Sequence, residues 1–123
     1  MDILQFQLNK LNNEIYDQIH RIKYFKYKIN EDYINMIYAI KHKLSNEELK
    51  NKIIKHTIEG DLLCDELTIE QIYFTQSFTD YKDCCGQNYL IVINNNIKYF
   101  NHYVIDLKNF IVNLKTRLGT LNK

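Results

Sequence analysis

Residues 88 to 105 read NYLIVINNNIKYFNHYVI, and this stretch decides which fold class the sequence predicts. Its two arms, Tyr89–Ile93 and Ile97–Ile105, are rich in the β-branched and aromatic residues that favour strands. Between the arms lie Asn94, Asn95 and Asn96, whose side chains tolerate the positive φ angles of a tight turn. The stretch therefore predicts a β-hairpin from Asn88 to Ile105.

Two helices are predicted at the N-terminal end of the chain. Apolar residues from Leu4 to Phe25 recur at spacings of three and four, which predicts a helix from about Asp2 to Lys28. Because this spacing is close to that of a heptad repeat, the helix could also be half of a coiled-coil dimer. Asn30 is a suitable N-cap for a second helix, with the carboxylates of Glu31 and Asp32 in its first turn.

Capping signals predict two further helices before the hairpin. Ser45 and Glu48 have the spacing of a capping box and predict the start of a third helix, which is expected to end near Gly60. Thr68 and Gln71 repeat the capping box and predict a fourth helix, from about Ile69 to Tyr81.

The C-terminal part is predicted to hold a loop, the hairpin and a closing helix. The loop covers Asp80–Asn88, and Asp106 is expected to cap a helix that stops at Gly119. The predicted fold class is therefore α+β and predominantly helical, with about four N-terminal helices, a C-terminal β-hairpin and a closing helix. A chain of 123 residues is long enough for a single domain, 1–123, with one core.

The composition indicates a folded protein of an intracellular compartment. The apolar fraction of 46% excludes a disordered chain, and the net charge of +1 does not favour non-specific binding to nucleic acid. Three cysteines cannot all pair, and the adjacent Cys84 and Cys85 rarely bridge each other, so a reduced, cytoplasmic setting is expected. The N-terminal residues lack the pattern of a signal peptide, and no apolar run is long enough to span a membrane.

No recognisable catalytic or ligand motif occurs in the sequence. His20, His42, His56 and His102 are dispersed without the spacing of a zinc-ligand pair, and the three glycines stand apart and do not form a phosphate-binding loop. The expectation is a non-enzymatic protein with no cofactor and no metal site.

One acidic segment is a candidate surface for a protein partner. Residues 59–83 hold seven acidic side chains against the single cation Lys82, which gives a net charge of −6. Such a patch can attract a basic surface on another protein, although first-turn and loop residues are often acidic only because they are solvated. The candidate contact residues are Asp61, Asp65, Glu66 and Asp83.

One basic segment is a candidate surface for nucleic acid. Cations alternate with aromatic residues there, a mixture that can contact phosphates and stack on bases. The alternative is a solvated helix face on which the lysine stems cover apolar neighbours. The candidate contact residues are Arg21, Lys23, Tyr24, Lys26, Tyr27 and Lys28.

Two functions are compatible with these features. The first is protein–protein binding by a small intracellular protein, and the usage of Lys, Ile and Asn suggests an AT-rich genome such as that of a phage, a virus or a mobile element. An inhibitor of a host defence complex or an immunity protein would fit. The unpaired hairpin edges would allow a homodimer. The alternative is a winged-helix nucleic-acid-binding regulator, which is weakened because its recognition helix, Thr68–Tyr81, has no Lys or Arg.

Overall fold

The computed structural model describes residues 3–44, 47–81 and 86–121, and these residues form three long helices. Helix α1 covers Ile3–Lys41, α2 covers Glu47–Tyr81 and α3 covers Gln87–Leu121. Each helix packs against both of the others, so the three form a bundle around one apolar core. No residue in the described ranges is in a strand.

Helix α3 packs into the bundle through a heptad repeat. Its buried residues alternate at spacings of three and four over four heptads, the pattern of a coiled-coil seam. A helix with this pattern keeps one apolar stripe facing its neighbours along its whole length. The buried residues of the stripe are Leu90, Ile93, Ile97, Phe100, Val104, Leu107, Ile111, Leu114 and Leu118.

The predicted β-hairpin at Asn88–Ile105 is therefore wrong, and so are the α+β fold class and the separate closing helix capped by Asp106. This heptad pattern overrides the strand preference of the individual residues, because burial of a continuous stripe outweighs differences in intrinsic propensity. The central asparagines do not form a turn. Asn96 is buried within α3, and its Nδ2 donates to Asn12 Oδ1 at 2.9 Å and to the Tyr16 hydroxyl at 3.1 Å.

Helix α1 continues through the break predicted at Asn30. The buried residues Ile22, Ile29 and Met36 are spaced by seven and extend the N-terminal stripe, so the first two predicted helices are one. Asp32, expected in the first turn of the second helix, lies within α1 instead and is only 9% exposed.

Helix α2 likewise passes through two predicted boundaries. Gly60 was predicted as a C-cap but is buried in mid-helix, where an added Cβ would lie 2.5 Å from Ile111 Cδ1 and 3.2 Å from Phe25 Cζ. Its lack of a side chain therefore allows close helix approach. The Thr68 hydroxyl, predicted to cap a new helix, donates to the Cys64 carbonyl one turn earlier at 2.8 Å.

The chain reverses direction at two places. Lys43 has a φ of 56° after the end of α1, and the amide of Leu44 donates to the Ala39 carbonyl, which is the bonding of a Schellman motif. Helix α2 begins at Glu47, two residues after the predicted cap Ser45, which lies outside the described residues. The predicted loop Asp80–Asn88 overlaps the interval between α2 and α3, and its residues 82–85 also lie outside them.

Candidate functional site

A groove of about 390 Å³ lies between α1 and α2. Apolar side chains of both helices line it together with an unusual group of charged residues, so it resembles small-molecule sites in size and character. The lining residues are Arg21, Tyr24, Phe25, Lys28, Ile29, Asp32, Lys52, His56, Glu59 and Leu63.

The charged residues of the groove are centred on the buried carboxylate of Asp32. Lys52 Nζ donates to Asp32 Oδ1 at 3.3 Å, and His56 Nε2 lies 3.1 Å from Asp32 Oδ2. The other ring nitrogen of His56, Nδ1, lies 3.3 Å from Glu59 Oε2. A buried carboxylate is costly unless it is paired, and these contacts pair it from the adjacent helix.

This arrangement joins α1 and α2 through side-chain contacts. Both ring nitrogens of His56 already face carboxylates of the same chain, so neither is directed at a bound substrate. The carboxylates of Asp32 and Glu59 lie on opposite sides of the His56 ring. They therefore cannot both bind one metal ion together with a ring nitrogen of His56. Within the three described segments, no group of three His, Cys, Asp or Glu side chains could hold a metal.

The structure divides the predicted nucleic-acid residues between two sides of α1: Arg21, Tyr24 and Lys28 line the groove, whereas Lys23 and Lys26 do not. Arg21 lies toward α2 and pairs with Glu66 at 2.9 Å, whereas Lys23 and Lys26 lie toward α3. Lys28 Nζ is 5.7 Å from the centre of the Tyr24 ring, and Tyr24 and Tyr27 are both exposed.

The two lysines on the α3 side cover aromatic rings. Lys23 Nζ is 5.1 Å from the centre of the Tyr103 ring, and Lys26 Nζ is 5.6 Å from that of Phe110. The alternation of cations and rings in the sequence thus becomes packing between α1 and α3, as expected when lysine stems cover apolar neighbours. The winged-helix arrangement also lacks its wing, because the predicted hairpin is part of α3, and the predicted recognition helix is the second half of α2.

The predicted acidic contact residues are divided between two sides of α2. Glu66 lies toward α1, where it pairs with Arg21. Asp61 lies toward α3 and pairs with Lys115. Asp65 is exposed on the α3 side, one turn from Asp61, and Asp83 lies outside the described residues. Only Asp61 and Asp65 thus belong to a common surface.

That common surface follows the line along which α2 and α3 meet. Three polar contacts mark this line: Asp61 with Lys115, Thr68 Oγ1 with Lys108 Nζ at 3.0 Å, and Gln71 Nε2 with Asn101 Oδ1 at 3.1 Å. The helices are antiparallel, since the α3 residue number falls as the α2 residue number rises.

Exposed apolar residues lie on both sides of this line. On α2, Ile58 lies three residues before Asp61, and Ile72 lies four residues after Thr68. On α3, Ile105 lies three residues before Lys108, and Val112 lies four residues after it. Residues at these spacings share a helix face, so these four apolar side chains flank the line of polar contacts. These residues, with Leu62 and Ile69, are 52% to 69% exposed. We call the surface formed by Ile58, Leu62, Asp65, Ile69, Ile72, Lys98, Ile105 and Val112 the α2–α3 face.

Sequence reasoning missed the α2–α3 face because its residues were divided among four predicted elements: the third helix, the fourth helix, the hairpin and the closing helix. Ile105 was assigned to a strand of the hairpin, and Ile69 and Ile72 were assigned to the separate fourth helix. The signal that could have found it is that Ile91, Ile105 and Val112 are separated by fourteen and seven residues, which are whole heptads and put them on one outer side of a helix whose buried stripe is elsewhere.

The one described cysteine adjoins this face but points inward. Cys64 is buried, and burial raises the pKa of its thiol above the ordinary value, with smaller and opposing effects from Lys108 and Asp61. A protonated, buried thiol behaves as a small apolar side chain and is a poor nucleophile.

No described helix combines the length and the apolarity that a membrane crossing requires. No protein-family description matches the chain, and neither the curated proteins nor the solved structures include one with significant similarity to it.

Proposed function

We propose that this chain is a small non-enzymatic protein that works in the cytoplasm by binding another protein chain through the α2–α3 face. The observation that carries the proposal is the row of exposed isoleucines on both sides of the α2–α3 line. Large contiguous exposed apolar patches are rare on soluble monomers, and those that occur mark interaction sites. An accessory role in a phage, a virus or a mobile element remains the proposed setting, because of the residue usage.

The composition of the face also favours a protein partner. Its centre consists of Ile69, Ile72 and Ile105, and its charged members, Asp65 and Lys98, lie on opposite sides of this centre along the helices. An apolar centre without charged residues is the usual anatomy of the core of a protein–protein interface. Each isoleucine removed from water contributes roughly 1.5 to 3 kcal/mol before the costs of association are subtracted.

Nucleic-acid binding has less support. The cations that were expected to contact phosphates point to different neighbours, and a binding groove needs several cations along one track. Arg21 is already paired with Glu66, and Lys23 and Lys26 lie over aromatic rings.

The proposal is tested by capture of partners with immobilised protein. Wild-type chain is compared with the double variant Ile72→Glu and Ile105→Glu, which places two charges in the centre of the face. The control is Ile34→Glu on α1, which changes a residue of the same type and similar exposure, 57%, away from the face. We expect the double variant to lose the captured protein and the control to retain it. Capture that is equal in all three would contradict the proposal.

A further inference from the structure

We propose that the partner bound by the α2–α3 face is a second copy of this chain, related by a two-fold axis that passes near Ile72 and Ile105. This inference rests on the proposed function and names the partner of the same surface. The homodimer predicted from hairpin edges has no basis in the structure, since the hairpin is helical. The helical face offers a different means of self-association.

The first argument is the order of residues along the face. The contacts of Asp61 with Lys115 and of Gln71 with Asn101 fix how α3 lies beside α2, and they place Ile105 level with Ile69 and Ile72. At 1.5 Å per residue, Asp65 lies about 6 Å from the level of Ile69 and about 10 Å from that of Ile72 toward one end of the bundle, and Lys98 lies about 10 Å from the level of Ile105 toward the other end.

The second argument is charge complementarity. A two-fold axis perpendicular to the helices reverses the direction of the second copy, so its Lys98 meets Asp65 of the first copy, and the reciprocal pair forms at the other end. The same rotation brings the exposed Ile58 of one copy level with the exposed Ile91 of the other, and Ile105 of each copy meets Ile69 and Ile72 of the other. The face is thus self-complementary in both charge and apolarity.

The third argument is area. Two adjacent helices, each about 10 Å in diameter, make a strip about 20 Å wide, and the distance from the level of Ile58 to that of Ile91 is about 40 Å. The product, about 800 Å² for each copy, equals what a standard-sized stable interface contributes from each partner. A small partner segment such as a single short helix would leave part of this strip uncovered.

Sedimentation equilibrium of the whole chain between about 1 and 100 µM, the range of many specific associations, tests the inference. Wild type should have the mass of two chains, Ile105→Glu the mass of one, and the control Ile34→Glu the mass of two. Asp65→Lys alone and Lys98→Asp alone should each weaken the dimer about tenfold, because each places like charges together twice per dimer. The combined variant Asp65→Lys with Lys98→Asp should recover most of the affinity.

The outcomes separate this inference from the proposed function. Wild type with the mass of one chain throughout the range overturns the second copy, and so does a dimer whose affinity is unchanged in Ile105→Glu or in the charge variants. If wild type is a monomer but captures another protein that the Ile72→Glu, Ile105→Glu variant does not, the face binds a different chain and only the second copy is wrong. If it neither dimerises nor captures a protein, both proposals fail.

Discussion

Replacing Gly60 by alanine should destabilise the bundle, although alanine is the better helix former. In the interior of a helix, the change from glycine to alanine contributes about 1 kcal/mol of stability from propensity alone. At Gly60, however, the new methyl group would lie 2.5 Å from Ile111 Cδ1, 3.0 Å from Ile111 Cγ1 and 3.2 Å from Phe25 Cζ. All three atoms would have to move.

The magnitude follows from these two opposing effects. Ile111 is 1% exposed, so its side chain has no solvent into which it could turn. Overpacking in a closely packed core costs about 1 to 3 kcal/mol, which exceeds the gain in helix propensity. We expect Gly60→Ala to lower the free energy of unfolding by about 1 kcal/mol net.

Denaturant unfolding followed by far-UV circular dichroism measures this change, and Gly119→Ala is the matched control. Gly119 lies near the end of α3 with no atom within 4 Å of an added Cβ, so the control should be neutral or slightly more stable than wild type. A second variant, Ile111→Val, removes the Cδ1 atom that clashes and alone costs about 0.5 to 1.5 kcal/mol.

The double variant decides whether the reasoning is correct. If the clash with Ile111 causes the loss, Gly60→Ala and Ile111→Val together should cost about 1 kcal/mol less than the sum of their separate effects. A Gly60→Ala protein that is more stable than wild type, or strict additivity in the double variant, would refute the close approach of α2 and α3 at this position.

Three further predictions concern the other helix contacts. His56→Leu leaves the buried Asp32 carboxylate with Lys52 as a remaining partner and should lower the free energy of unfolding by about 1 to 3 kcal/mol. Asp32→Leu removes the buried charge itself and should lower it less. Equal losses of the two variants in denaturant unfolding would count against the pairing. Lys23→Ala with Lys26→Ala should lower the unfolding free energy by about 1 to 2 kcal/mol through the lost cation–π contacts, and its mobility shift with RNA or DNA at low salt should match that of wild type. Because burial raises the pKa of the Cys64 thiol in the folded state, the contribution of this thiol to stability is complete below the pKa of the unfolded thiol and is lost as pH rises through the folded value. Over that alkaline range, the free energy of unfolding of Cys64→Ala should therefore fall less than that of wild type. Identical pH profiles of the two proteins would contradict the burial effect.

The limits of sequence-based prediction in this chain come from the length of the window used. The stretch Tyr89–Ile93 is apolar at every position, so in isolation it is compatible with a strand or a buried helix. The choice depends on residues as far as 28 positions away, since Leu90 and Leu118 belong to one heptad series. Turn-forming asparagines strengthened the wrong choice, because an asparagine such as Asn96 can also satisfy its side chain within a bundle.

The capping signals misled for a related reason. Asn30 and Thr68 have the residue types of N-caps, but an N-cap forms only where a helix begins. Continuous apolar stripes in α1 and α2 keep the chain helical through both positions, so no helix begins there. The basic and acidic segments could be recognised from composition. Their division between helix sides could not, because it depends on which neighbour each side meets.

Asp32 has a consequence for the alignment of the three helices along their axes. A heptad repeat allows α1 to slide by seven residues, about 10 Å, and still present apolar side chains to its neighbours. In the shifted position, however, the Asp32 carboxylate would lie one heptad from His56 and Lys52, and leaving it buried without partners costs about 3 to 5 kcal/mol. The charge that weakens the apolar stripe of α1 thereby selects one alignment among several that the stripe itself would permit.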